Sequence, residues 1–290
     1  MGYMHIDNLY KNQDVLMFQE LYAMEKIHGT SAHVLFKDEE IKFFSGGAKY
    51  ETFVQLFNEE VLLEKFHELG VPNIVIYGEA YGGKLQGMSA TYGEEMNFVG
   101  FDVKVDTVWL AVPQAEDIIT ELGLEFIHYI RIAAKLEAID KERDADSVQA
   151  IRNGIGKGKK REGIVLRPLV EIKKNNDKRI MAKHKNDEFM ETKTPRKVDP
   201  DKLKVLAEAN AIAMEWVTEM RLTHVLDKLP QGINIESTGL VIKSMVEDVL
   251  REAESEIVVS KAARRTIGKR AAFLFKQRLV STLKGLKDVG

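Results

Sequence analysis

Short apolar runs separated by polar turns fill the chain up to about residue 192, and longer runs with helical spacing fill the remainder. Phe18 to Met24 and Ser31 to Phe36 read as strands, and Ile41 to Phe44 can pair back on the second across the polar turn Lys37-Asp38-Glu39-Glu40. Glu59 to Leu69 carries Val61, Leu62, Phe66 and Leu69 at helical spacing and stops at Gly70, with Pro72 beyond. Asn73 to Tyr77 reads as a buried strand running into Gly78-Glu79, and Asn97 to Val105 as another. Gly163 to Leu166 and Arg179 to Lys185 suit the arms of a hairpin around Lys173-Lys174-Asn175-Asn176-Asp177. Two prolines interrupt the polar run Thr194-Pro195-Arg196-Lys197-Val198-Asp199-Pro200, and three helical patterns follow, at about 201–226, 236–254 and 256–286. The pattern predicts an α+β chain: an antiparallel-sheet domain over 1–194, a linker at 195–200 and a small all-helical domain over 201–290.

With 290 residues, 44% of them hydrophobic, the chain can bury one large core or two modest ones. No apolar stretch is long enough to cross a bilayer, and Met1 to Asp14 lacks the basic and apolar layout of a secretory leader. A soluble, cytoplasmic protein with no membrane partner is therefore expected. The absence of cysteine excludes disulfides, thiolate metal ligands and cysteine nucleophiles, so covalent catalysis needs another side chain. The net charge of −3 is neutral on nucleic acid, but its distribution is not. Lys261, Arg264, Arg265, Lys269, Arg270, Lys276, Arg278, Lys284 and Lys287 face one acid, Asp288, and Lys157, Lys159, Lys160 and Arg161 are interleaved with glycines. Such clusters suit a phosphate backbone, and equally a solvated helix face or a loop.

Five segments end in groups that phosphoryl chemistry uses. Glu25-Lys26-Ile27-His28-Gly29-Thr30 sets a lysine beside a glycine at a strand end, and Tyr77-Gly78-Glu79 sets a carboxylate at another. Phe101-Asp102 pairs an aromatic with an acid, and Glu162 opens the apolar strand Gly163 to Leu166. Lys183 and Lys185 share one face of a strand because side chains repeat with period two. A lysine must shed its proton before it attacks phosphorus, which burial and cationic neighbours favour, and a lysine pair would neutralise the phosphoryl oxygens.

In this order the motifs resemble those of the covalent nucleotidyltransferase superfamily of ligases and capping enzymes. The closer likeness is to the RNA ligase 2 family of nick-sealing RNA ligases, whose lysine motif reads Lys-x-His-Gly where DNA ligases usually carry Lys-x-Asp-Gly. The resemblance implies that Lys26 becomes adenylylated by ATP, with Glu25, Ile27 and His28 beside the nucleotide. It implies that Glu79 and Glu162 are the nucleotide- and metal-site carboxylates for magnesium or manganese. Phe101 and Asp102 then match the adenine-stacking strand, and Lys183 and Lys185 match the pair that contacts the α-phosphate. The family usually places an arginine after the lysine motif to hold the RNA 5′-phosphate; here the region reads Phe44-Ser45-Gly46-Gly47-Ala48-Lys49, which leaves Lys49 as the substitute. Ser31 stands where an asparagine is common.

The implied activity is that of an ATP-dependent RNA ligase: a lysyl-adenylate forms, AMP passes to an RNA 5′-phosphate, and a 3′-hydroxyl attacks that end. The expected partner is RNA in a nicked or splinted duplex, held through its backbone by the basic helix Lys261 to Lys287, and the protein is expected to act as a monomer. A DNA ligase or a GTP-using capping guanylyltransferase would share the lysine, but both normally append a β-barrel where this chain is helical. A non-catalytic RNA-binding protein on the same scaffold would have no need of Lys26.

Overall fold

A computed structural model describes residues 2–174, 177–189, 199–230, 232–254 and 256–287, with 282–287 described by backbone alone. The chain forms two compact units, one of residues 1–12, 20–171 and 181–195, the other of 13–19, 172–180 and 196–290. The second is thus not a single stretch: two segments that precede the expected boundary belong with it. The boundary at 194, positions 195–198 of the expected linker, and Asn175 and Asn176 of the expected turn lie outside the described residues.

The first unit holds nine strands among the described residues: β1 (Glu20–Lys26), β2 (Thr30–Lys37), β3 (Glu40–Ser45), β4 (Asn73–Gly82), β5 (Met96–Val105), β6 (Val108–Trp109), β7 (Tyr129–Ala133), β8 (Gly163–Pro168) and β9 (Ala182–Lys185). They form two antiparallel sheets, in the orders β7-β1-β8-β9 and β3-β2-β4-β5-β6. Its helices are α1 (Tyr50–Val54), α2 (Glu59–Leu69), α3 (Ser89–Tyr92), α4 (Val112–Glu121), α5 (Leu136–Arg143) and α6 (Val148–Arg152). This is the α+β, antiparallel organisation the pattern predicts.

Local chemistry sets these elements. β2 and β3 turn through Asp38 and Glu39 alone, both at positive φ (54° and 63°), the geometry of the two-residue hairpins whose twist matches that of strands. Helix α2 starts where the Asn58 side chain accepts the Val61 N–H at 3.2 Å and stops at Gly70, whose φ of 63° favours a residue without Cβ. Its Phe66 stacks on Phe36 of β2, centroids 4.9 Å apart, and both are buried. One core gathers side chains from both sheets and from α2 and α4, among them Met24, Val34, Ile76, Val103 and Ile119.

The second unit carries α7 (Pro200–Trp216), α8 (Glu219–Asp227), α9 (Thr238–Glu252) and α10 (Lys261–Lys287) around Leu222, Val241, Met245, Ile267 and Phe275. The pattern at 201–226 predicts one helix; the structure has two, because Thr218 leaves the helical conformation and its hydroxyl accepts the Arg221 N–H, capping α8. The last helix begins at Lys261 and not near 256: Ser260 caps it through the Ala263 N–H, after the β-branched pair Val258-Val259. Among the described residues no helix is long and apolar enough to cross a membrane.

Candidate active site

The Lys26 motif lies where the chain leaves one sheet and enters the other. Lys26 ends β1 in the four-stranded sheet and Thr30 begins β2 in the five-stranded one, so Ile27, His28 and Gly29 make the crossing. Gly29 is required there: a Cβ would stand 2.3 Å from the carbonyl oxygen of Ala80 and 3.0 Å from the Glu79 side chain. The Gly29 N–H donates to Glu79 Oε1 at 3.1 Å, which ties β4 to the crossing.

Strand register does the rest. Lys26 pairs with Gly163 across β1 and β8, and Gly163 pairs with Lys185 across β8 and β9, which lines up a lysine, a glycine and a lysine with Glu162 beside them. Gly163 permits this close packing, since a Cβ would fall 2.2 Å from the His184 carbonyl oxygen. Glu162 is only 2% exposed, and both its oxygens are engaged: Lys26 Nζ at 2.7 Å and His28 Nδ1 at 3.3 Å on Oε2, Lys185 Nζ at 3.0 Å on Oε1. Burial by itself would raise the Glu162 pKa, but the Lys26 and Lys185 ammoniums outweigh it and hold the carboxyl below its usual range. Lys26 therefore touches a carboxylate, not a second lysine. The sequence expectation of cationic neighbours around it omitted this bridge.

Glu79 is the opposite case. Burial pushes its pKa up to about 7, Lys26 opposes, and the Glu162 charge adds to the rise. Its Oε2 has no hydrogen-bond partner among the described residues. Two carboxylates that repel one another, one with an oxygen to spare, are hard donors that fit a magnesium or manganese ion. Among the described residues no cluster of three or more His, Cys, Asp or Glu is placed to hold a metal alone, so water or phosphate oxygens would complete the shell.

Beside Lys26 opens a cavity of about 190 Å³ lined by Ile27, Glu79, Phe101, Val165 and Arg167 among others. Phe101 lies in its wall, with the Tyr3 ring in T-shaped contact, centroids 4.9 Å apart, so the cavity has an aromatic lining. Asp102 does not line the cavity: it is fully buried, pairs with Arg167 Nη1 at 3.0 Å and accepts the Tyr3 hydroxyl at 2.6 Å. Because its carboxylate is committed to those partners, it braces the wall of the cavity. Glu25 lines the cavity, but its carboxylate faces the start of α6, where it accepts from the Ser147 hydroxyl at 2.6 Å and from the Val148 and Gln149 N–H groups. Burial raises its pKa against those bonds and the Arg161 charge.

Of the remaining expected residues, Lys183 lies in β9 on the same face as Lys185, with its N–H donating to Asp7 and its carbonyl accepting from Leu9. Lys49 is exposed at the start of α1 and does not line the cavity. The basic loop near 157–161 is less of a cationic face than its composition implies: Arg161 is 2% exposed and spends its donors on Glu142 and the Asp146 carbonyl, and Lys160 bonds the Asp144 carbonyl. Sequence reading missed Tyr3, Val165, Arg167 and Met181 in the cavity wall. Arg167 carried a usable signal, a charge in the apolar run Ile164-Val165-Leu166, which in a buried strand demands a partner.

Comparison with known proteins bears on the family and the fold. A family model described as RNA ligase matches residues 19–185. No curated protein matches the sequence. Solved structures of an RNA ligase from Naegleria gruberi share the fold: one mutant with ATP and Mn matches with a TM-score of 0.51 and 16% identity, over 65% of this chain and 56% of that one. A second mutant with ATP and Mn matches at 0.52 and 17%, over 66% and 57%, and the ligase with PPi at 0.51 and 17%, over the same shares. The match spans little more than half of the Naegleria chain.

Proposed function

The chain belongs to the RNA ligase family, and on that premise we propose that it is an ATP-dependent RNA ligase that works through an AMP bound covalently to Lys26. The observation that carries the reading is that Lys26 lines a cavity of about 190 Å³ and is bridged through Glu162 to Lys185. In the first step Lys26, oriented by the Glu162 carboxylate 2.7 Å away, gives up its proton to solvent, and its nitrogen forms a bond to the α-phosphorus of ATP. The bond from that phosphorus to the bridging oxygen of the β-phosphate breaks, and pyrophosphate leaves. Lys185, with Lys183 on the same strand face, neutralises charge on the α-phosphoryl oxygens, and Phe101 stacks on adenine. A magnesium or manganese ion bound through Glu79 and Glu162 would supply further charge neutralisation at the phosphates.

In the second step a 5′-phosphate oxygen of RNA attacks the phosphorus of the lysyl-adenylate and Lys26 leaves as the amine. In the third a 3′-hydroxyl attacks the activated 5′-phosphate, loses its proton and expels AMP. His28, whose Nδ1 sits on Glu162, positions that carboxylate as Lys26 comes and goes. Lys49, exposed beyond the end of β3, is the candidate grip on the 5′-phosphate. The test is to supply ATP, magnesium and a nicked RNA duplex with a 5′-phosphate at the nick: joined strand and AMP are expected, and both should vanish with Lys26→Ala. RNA binding without joining by the wild type would overturn the reading in favour of a binding protein.

A further inference from the structure

The proposed chemistry makes no use of a charge cluster in the second unit. Asp14 sits on the short turn Asp14–Met17 and is 5% exposed. Three cations converge on it: Lys174 Nζ at 2.5 Å and the Arg265 guanidinium on Oδ2, and Lys269 Nζ at 3.6 Å from Oδ1. Arg265 and Lys269 are one turn apart on α10 and so share a face, while Lys174 comes from the segment 172–180.

Among the described residues one carboxylate meets three cations here, a local surplus of positive charge. Lys269 is poorly satisfied: it is 8% exposed, and among the described residues its ammonium meets Asp14 at 3.6 Å and the Met17 thioether at 3.3 Å, a weak acceptor. Burial pulls its pKa down to about 8, with Asp14 opposing and Arg265 and Lys174 adding to the fall. A buried cation short of acceptors is costly unless something completes it. The surplus is also accessible, since Lys174 and Arg265 keep 25% and 44% of their side chains exposed. Other charges of α10 are spent inside the unit, Arg270 on the Val217 carbonyl and Arg278 on the Thr223 hydroxyl. Exposed Lys261 stands one turn before Arg265 and prolongs the positive face.

We propose that Lys174, Arg265 and Lys269, held in register by Asp14, form a phosphate-binding site in the helical unit, and that an RNA phosphodiester is its ligand. Free inorganic phosphate shares the chemistry and is the other source. The RNA ligand rests on the ligase reading above; the charge geometry does not.

The test uses the full chain with two probes. Anisotropy of a labelled nicked RNA duplex over a salt series should show Arg265→Gln and Lys174→Gln each binding about 3- to 10-fold more weakly, with a slope of log Kd against log salt about one unit shallower. Inorganic phosphate, added alone, should raise the melting temperature of the wild type more than that of either variant if free phosphate is the ligand. Arg265→Lys, which keeps the charge at an exposed position, should retain most of the response of whichever probe is sensitive; this variant keeps the test decisive if one of the others misfolds. A change with RNA alone supports the RNA source, and a change with phosphate alone supports the site but assigns it to the free anion. Unchanged binding of both probes across the variants would overturn the site. Labelling of Lys26 by ATP, followed on the same proteins, should persist; its absence from the wild type would sink the ligase reading while leaving the phosphate arm to decide the site.

Discussion

Replacing Glu79 by glutamine removes a buried charge while keeping an oxygen that can accept the Gly29 N–H. Burial sets the Glu79 pKa at about 7 in the folded protein against an ordinary 4.5, with Lys26 lowering it and Glu162 raising it. Between those values the native state holds a proton that the unfolded chain has released. Stability contributed by this group therefore falls as pH rises, by about 1.4 kcal/mol per pH unit, and the total reaches about 3 kcal/mol once the folded carboxyl is ionised. Glu79→Gln has nothing to titrate and escapes that loss. Urea unfolding followed through Trp109, in a Trp216→Phe background so that the first unit alone reports, should give similar stabilities at about pH 4 and a variant more stable by about 2–3 kcal/mol at about pH 8.5. A difference that stays constant across this range would refute the reasoning, because it would mean that Glu79 carries no buried charge. The same variant should adenylylate at least about tenfold more slowly, the usual exchange of stability for function at an active site.

Three further outcomes follow from the geometry. Glu162→Gln should lower the rate of Lys26 labelling by roughly 100-fold or more, since it removes the group that orients Lys26, His28 and Lys185 together; single-turnover labelling with ATP measures it. Gly29→Ala should cost about 3 kcal/mol or more in urea unfolding, because its Cβ would press on the Ala80 carbonyl 2.3 Å away. Asp102→Ala removes one of the two carboxylates on the buried Arg167 guanidinium and leaves Glu171 at 2.8 Å, so it should cost about 1–3 kcal/mol, and a double-mutant cycle with Arg167→Met should show the two changes to be coupled.

How much of this was legible in the sequence depended on whether a signal was local. Helix α2 was readable to the residue because its apolar spacing and the glycine that ends it are adjacent in the chain. The strands carrying Lys26, Glu79, Phe101 and Lys185, and the one that Glu162 precedes, were readable from apolar runs, and the ordered motifs linked them. What no run of residues announces is register: that Lys26 falls in line with Gly163 and Lys185 is decided by the pairing of β1 with β8, more than a hundred residues away. The same limit hid the duties of Asp102 and Arg161, which look like site charges in the sequence and are internal ties in the fold. The break at Thr218 was missed although its cap is local, because the apolar pattern runs through it.

The central claim is that Lys26 becomes the carrier of AMP. Incubating the protein with magnesium and ATP labelled at the α-phosphate, digesting it, and locating the labelled peptide by mass spectrometry tests this directly. The expected result is one AMP on the peptide containing Lys26, no label on Lys26→Ala, and no label from GTP. Label retained at full level by Lys26→Ala, or none on the wild type, would contradict it.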